Sequence, residues 1–220
     1  MPVVDSYKHK GMRRQLVSKV RAKGISDERV LRALNTVPRH VFLDNAFVEH
    51  AYQDKAFQIG EGQTISQPYT VAFQSEKLAV QKGDKILEIG TGSGYQCSIL
   101  LELGAKVYSV EYNWPLHLRA KKTLKELGYT QASLMHGDGT KGLPDFAPYD
   151  GIIVTAGAPN VPLSLIEQLA EGGRLVIPVG DRRSQKMLLI TKEENGKIKK
   201  AEFDFFSFVP LLGEHGWEAD

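Results

Sequence analysis

Between residues 85 and 179, short apolar runs alternate with stretches of helical periodicity. Lys85–Ile89 predicts a strand, Gly94–Leu103 a helix, Val107–Val110 a strand, and Pro115–Leu127 a helix stopped by Gly128. Ser133–Met135 predicts a weak strand and Gly151–Thr155 a clear one. Leu163–Ala170 then predicts a helix closed by Gly172 and Gly173, and Arg174–Val179 a further strand. Two last apolar runs, Lys186–Thr191 and Ile198–Phe208, flank Asn195-Gly196, a dipeptide suited to a tight hairpin turn. Strands separated by helices need crossover connections and lie parallel, whereas a two-residue turn joins antiparallel neighbours. The pattern therefore predicts an α/β fold: a doubly wound, mostly parallel seven-stranded sheet with a C-terminal antiparallel hairpin and N-terminal helices.

Those helices are read from the first 50 or so residues. Met12, Leu16, Val17 and Val20 fall on one helical face, with Lys and Arg on the other. Ser26 is the expected N-cap of a second helix, with Asp27 and Glu28 in its first turn. Val30, Leu31, Leu34 and Val37 line its apolar side until Pro38 ends it. Residues 55–70, KAFQIGEGQTISQPYT, offer few apolar side chains and predict a loop, and a helix resumes near Tyr69 to run to about Val80. A chain of 220 residues suits one domain, with a helical extension over 1–60 and an α/β core over 61–220.

Composition narrows the partners. Lys and Arg total 28 against 26 Asp and Glu, a formal charge of +2, which argues against a nucleic-acid partner. Cys97 is the only cysteine, so neither an intrachain disulfide nor a Cys-rich metal site is available and no metal is expected. The N-terminus MPVVDSYKHKGMRRQ lacks the apolar segment of a signal peptide, and no run approaches the roughly 20 apolar residues of a membrane span. A cytoplasmic protein without a membrane partner is expected.

The candidate chemistry begins at Leu87-Glu88-Ile89-Gly90-Thr91-Gly92-Ser93-Gly94, between a strand and a helix. Gly90, Gly92 and Gly94 form either a plain tight turn or a loop that lets a ligand approach the backbone at a helix N-terminus. The Gly-Lys-Ser/Thr of a phosphate-binding Walker loop is missing, and Tyr95 stands where a dinucleotide fingerprint would place its third glycine. Glu111 ends the second core strand and is either a solvated strand end or an acceptor for two ribose hydroxyls. Asp138, before Gly139, is an Asx-turn residue or an acceptor near an adenine edge, and Glu88 either pairs with a Lys or Arg or faces the ligand. Three carboxylates suit a cationic nucleoside such as a sulfonium better than a phosphate.

Together with Gly60-Glu61-Gly62-Gln63-Thr64-Ile65-Ser66-Gln67-Pro68-Tyr69 and HGDG, this loop resembles the protein-L-isoaspartate O-methyltransferase family, within the class I S-adenosylmethionine-dependent methyltransferases. Arg39–Phe42, Ala51–Asp54, Gly172–Gly180 and Phe208–Leu211 extend the likeness over residues 39–212, with departures at Phe57-Gln58 and Tyr112. The resemblance implies methyl transfer from S-adenosyl-L-methionine to the free α-carboxylate of L-isoaspartyl residues in damaged polypeptides, leaving S-adenosyl-L-homocysteine. The ester then closes to a succinimide whose hydrolysis returns some aspartate. It further implies that Ser66 is the essential residue, donating its hydroxyl to the substrate carboxylate, although the same hydroxyl could cap the helix starting near Pro68. Thr64 and Ile65 would line the cofactor as a lid, with Glu88, Gly90, Gly92, Gly94, Glu111, Asp138 and Gly139 as its other ligands. Val209 and Leu211 either offer backbone groups to an extended peptide or pack as apolar strand residues. One chain supplies every motif, so a monomer is expected. The rival readings are a class I methyltransferase acting on nucleic acid or a small molecule, a nicotinamide-dependent oxidoreductase, and a non-catalytic cofactor-binding module.

Overall fold

The computed structural model describes residues 5–218. Met1–Val4, part of the N-terminal stretch read above, lie outside them. Two helices open the chain, α1 (Tyr7–Ala22) and α2 (Glu28–Thr36). The cap of α2 is Asp27, not Ser26: its carboxylate accepts from Arg29 N–H, while the N–H groups of Ser26 and Asp27 both donate to Glu76 Oε2 at 2.8 and 2.7 Å. A carboxylate borrowed from the next helix thus shifts the cap one residue along.

Residues 55–70 are not an irregular loop. They contain an antiparallel hairpin of β1 (Phe57–Gly60) and β2 (Gln63–Ile65), turned through Gly60, Glu61 and Gly62 at φ of 88°, 54° and 67°. Arg119 donates to Ile59 O and fastens the hairpin to the core, where Ile59 is buried. Helix α3 (Pro68–Leu78) follows at once.

The core alternates as expected: β3 (Lys85–Ile89), α4 (Tyr95–Glu102), β4 (Lys106–Glu111), α5 (Trp114–Glu126), β5 (Ser133–His136), β6 (Tyr149–Val154), α6 (Leu163–Glu167), β7 (Leu169–Gly180), β8 (Gln185–Lys192) and β9 (Ile198–Phe206). The helix expected over Leu163–Ala170 stops at Glu167, and Gly172-Gly173 lies inside β7, which begins at Leu169. A Cβ on Gly173 would come within 2.8 Å of Ala170 O, so glycine there serves an irregular strand start and not a helix end.

The seven strands run in the order β5-β4-β3-β6-β7-β8-β9, parallel from β5 to β7 and antiparallel at β8 and β9. Side-chain alternation gives the sheet two buried faces. On one, Ile86, Ile153 and Val176 pack with Leu16, Leu31, Val71 and Ile99 of the N-terminal helices, α3 and α4. On the other, Leu87, Ile89, Ile152, Val154 and Leu175 pack with Leu165 of α6. The N-terminal helices therefore share a core with the sheet. Strand order reverses between β3 and β6, which opens a crevice at the carboxyl ends of the central strands. Among the described residues no helix is long and apolar enough to cross a membrane.

Candidate active site

The loop after β3 lies at that crevice. Gly90, Gly92 and Gly94 adopt φ of 94°, 54° and 89°, values that L side chains rarely take. A Cβ on Gly90 would also come within 2.5 Å of Thr155 Oγ1, whose hydroxyl donates to Gly90 O at 2.6 Å. The loop is thus locked against the end of β6, and a cavity opens above it.

That cavity is lined by the Gly loop, by Thr64, Ile65 and Ser66 of the hairpin segment, by Glu111, Tyr112 and Asn113 after β4, by Gly139, and by Thr155, Val209 and Leu211. Of the expected site residues it brings together Thr64, Ile65, Ser66, Gly90, Gly92, Glu111, Gly139, Val209 and Leu211. Its walls carry two carboxylates, Glu61 and Glu111, and no Lys, Arg or His among the described residues.

Glu111 Oε2 accepts from Gly92 N–H at 2.7 Å and Oε1 from Asn113 N–H at 2.9 Å. An ionised carboxylate has about four accepting positions, so about two remain for a pair of vicinal hydroxyls. The hairpin tip reaches over this point, with Asn113 Nδ2 at 3.4 Å from Glu61 Oε2.

Three expected ligands stand off the cavity wall. Gly94 caps α4 from beneath, where a Cβ would press on Leu124 at 3.2 Å, so its glycine serves helix packing. Asp138 turns towards the C-terminal segment: Oδ1 accepts from Thr140 N–H and Oγ1–H, and Oδ2 from Glu214 N–H. Its partner Gly139 does line the cavity, held so close to Ile89 that a Cβ would lie 2.6 Å from its side chain.

Glu88 points from β3 into the helix-covered face and is fully buried. Ser109 Oγ–H donates to it at 2.5 Å, and Ser109 in turn meets Thr91 Oγ1 of the Gly loop at 2.6 Å. Burial pushes the Glu88 carboxyl up to about 8, against the pull of the Ser109 hydrogen bond and with a further push from Glu111. The folded chain therefore holds a proton that the unfolded chain releases above about pH 4.3. Stability from this group is complete below that value and is lost as pH rises towards 8, by on the order of a few kcal/mol. Glu88→Gln should melt at a temperature that falls less between pH 6 and 8.5 than the parent's does; parallel melting-temperature curves would refute the assignment.

Ser66 also borders a second cavity, shared with Thr64, Thr155 and Val209 and continued by Tyr69, Arg183, Asp204 and Phe205–Phe208. Its segment is set by Asp54, which sequence reasoning did not single out for a role. Asp54 Oδ1 accepts from Tyr69 N–H at 2.8 Å, and Oδ2 accepts from Gln67 Nε2 at 3.0 Å and Lys23 Nζ at 2.5 Å. Asp54, and not Ser66, thus satisfies the first turn of α3. Burial opposes its charge, but Lys23, Tyr69 N–H and Gln67 outweigh that and hold its carboxyl below the ordinary range. Thr155, Asn113 and Glu61 were missed as well. Thr155 had a signal as the polar residue ending an apolar strand, and Glu61 lay within the Gly60–Tyr69 motif; Asn113 had none.

Tyr95 is buried beneath the Gly loop, with the Arg39 guanidinium 4.8 Å from its ring centroid and Phe42 edge-on at 5.5 Å. Arg39, itself fully buried, donates to Ala51 O and Lys55 O and so braces the approach to the hairpin. Cys97 is buried on α4. Asp5, His9 and His40 bring potential metal-ligating atoms within 4.8 Å of one another, but Arg13 grips the Asp5 carboxylate at 3.0 and 2.9 Å, where its charge would oppose a cation. His136 Nε2 lies 3.0 Å from Tyr112 O, at a strand end.

Comparison with known proteins agrees with this geometry. A Cytophaga hutchinsonii protein-L-isoaspartate O-methyltransferase is 60% identical over 215 residues, covering 98% of this chain and 97% of its own. A Christiangramia forsetii protein of the same name is 57% identical over 208 residues, 94% of this chain and 97% of its own. A solved protein-L-isoaspartate O-methyltransferase superposes with a TM-score of 0.83 at 32% identity, over 93% of this chain and 67% of its own. A Plasmodium falciparum structure assigned to the same activity, in complex with S-adenosyl-L-homocysteine, gives 0.80 at 25% identity, over 93% of this chain and 98% of its own. Residues 11–216 match the family described as protein-L-isoaspartate(D-aspartate) O-methyltransferase. A glycine loop at the strand crossover, an acid at the end of the next strand and the hairpin segment above them have their explanation here: the chain belongs to the protein-L-isoaspartate(D-aspartate) O-methyltransferase family.

Proposed function

We propose that this chain transfers a methyl group from S-adenosyl-L-methionine to the free α-carboxylate of L-isoaspartyl residues in damaged polypeptides, and that Ser66 divides the donor site from the acceptor site. The observation that carries the reading is the Ser66 wall, common to a cavity with carboxylates and no cationic side chains and to a groove at the end of an edge strand.

The residues of the first cavity fit the donor. Glu111 has accepting positions left for the ribose hydroxyls, the close contacts of Gly90 and Gly139 leave backbone at the ligand surface, and the uncompensated carboxylates favour a sulfonium over a phosphate. Asp138, with three hydrogen bonds already made away from the cavity, acts on the donor site through Gly139, which lines it. Glu88 acts from below the loop, through Ser109 and Thr91, and Gly94 through the seat of α4. Thr64 and Ile65 cover the donor as a lid.

When bound, S-adenosyl-L-methionine supplies an electrophilic methyl: the carboxylate oxygen forms the new C–O bond as the C–S bond breaks, and sulfur keeps the electron pair. The acceptor is already ionised at neutral pH, so the protein need not remove a proton. Ser66 donates its hydroxyl to one carboxylate oxygen and orients the other towards the methyl. Val209, which lines both cavities, offers its main chain to the peptide beside it, whereas Leu211 lines only the donor cavity and has its N–H bound to Gly157 O and its carbonyl to Trp217 N–H. The protein's contribution is orientation, for which well-aligned systems gain about 7–11 kcal/mol. The chain acts as a cytoplasmic monomer, without a metal and without nucleic-acid or membrane partners.

The test is methyl release with labelled donor from two peptides that differ only in an L-isoaspartyl or an aspartyl linkage. Incorporation into the first alone is expected. Equal incorporation into both, or into neither, would remove the substrate assignment and return a nucleic acid or small molecule as the acceptor.

A further inference from the structure

The groove beyond Ser66 is lined by three charged side chains, Lys23, Arg183 and Asp204. Lys23 is bound to Asp54, with its ammonium 5.3 Å from the Tyr69 ring centroid. Arg182, next to the groove, lies 5.4 Å from the centre of Trp217 and donates to Glu218 O. Arg183 is different. It lines the groove from the turn between β7 and β8, and among the described residues no hydrogen bond or ion pair engages its guanidinium, although its charge acts on the Asp181 carboxylate of the same turn.

Its backbone, by contrast, is fixed. Asp181 Oδ1 accepts from Arg183 N–H at 2.7 Å and from Ser184 N–H at 2.8 Å, and Gln185 Nε2 donates to Asp181 O. The turn is thus a rigid mount for an uncommitted cation. The groove beside it is aromatic, formed by Tyr69, Phe205, Phe206 and Phe208, with Phe205 two-thirds exposed. Its other charge without a hydrogen-bond or ion-pair partner among the described residues is Asp204, on the edge strand β9.

We infer that Arg183 is a specificity determinant that selects substrates with an acidic side chain close in sequence to the isoaspartyl residue. This rests on the proposed reaction and names what that reaction prefers. An extended peptide that places its isoaspartyl carboxylate at Ser66 from outside the donor cavity lies along this groove, because Ser66 and Val209 line both. A flanking Glu or Asp meets the free guanidinium, whereas a flanking Lys or Arg meets the same charge with repulsion. Lys23 cannot substitute, since its charge is matched by Asp54. Asp204 has the opposite sign and gives the groove a direction, favouring acid at the β7–β8 end and base at the β9 end.

Exposed ion pairs contribute modestly, so the discrimination is a few-fold. Isoaspartyl peptides would carry Glu, Gln or Lys at each of the two positions on either side, with KM and kcat measured for each. The parent protein should favour the best-placed Glu peptide over its Gln counterpart by about threefold in KM, and disfavour Lys by a similar factor, with both effects shrinking at high salt. Arg183→Ala should bring the three peptides together, Arg183→Lys should retain part of the order, and Arg183→Glu should invert it. The same order in the parent and Arg183→Ala, or a uniform loss for all three peptides that lies in kcat, would overturn the inference. Methylation of every peptide without charge preference would sink this inference alone. Methylation of none by either protein would sink the proposed reaction with it.

Discussion

Ser66→Ala should lower methyl transfer to an isoaspartyl peptide by roughly ten- to a hundredfold while S-adenosyl-L-homocysteine binds nearly as in the parent. A hydrogen bond to a charged acceptor is worth about 1.5–3 kcal/mol, which sets that range. The expectation follows from position: Ser66 borders both cavities, and the first turn of α3 is satisfied by Asp54. Removing the hydroxyl thus leaves the local fold intact. Calorimetric titration with S-adenosyl-L-homocysteine beside single-turnover methyl release separates the two effects. If the variant loses donor affinity in step with rate, Ser66 belongs to the lid over the donor and the acceptor must be held by other groups.

Glu111→Ala should have the larger effect on binding, weakening S-adenosyl-L-homocysteine by about a hundredfold or more. Two hydroxyl contacts to a carboxylate are removed, each worth about 1.5–3 kcal/mol. The N–H groups of Gly92 and Asn113 also lose their acceptor, so the Gly loop itself loosens. Glu111→Gln is no rescue: both oxygens accept from N–H groups, so the amide nitrogen would face one donor with another. Both variants should therefore bind poorly and melt lower than the parent, and ligand should stabilise them less. A Glu111→Ala chain that keeps parental affinity would show that the nucleoside is held elsewhere.

The central strands of the sheet were legible in the sequence because they are buried on both faces and so read as mostly apolar runs, as at Gly151–Val154, whereas the edge strands β5 and β9 are largely exposed. The glycines of the loop were legible for a related reason, since few other residues tolerate their backbone angles. The hairpin over residues 57–65 was not. Its strands hold together by main-chain pairing, the Arg119 contact to Ile59 and one buried apolar residue at each strand, Ile59 and Ile65. No local pattern announces such support. The same holds for Asp138 and Glu88. Their spacing suggested ligands, but whether an acid faces a cavity or turns to Thr140, Glu214 or Ser109 depends on partners distant in the chain. Asp54 shows the converse: a carboxylate given no role by the motif it ends holds the segment on which the proposed chemistry depends.

The wall formed by Thr64, Ser66, Thr155 and Val209 has a kinetic consequence. On the proposed reading donor and acceptor bind in adjoining cavities on either side of this wall, so neither has to vacate for the other to enter. Spent donor and esterified peptide can depart in either order, and a bulky protein parked at one entrance leaves the other free for exchange. Product inhibition should accordingly be competitive only between molecules that use the same entrance.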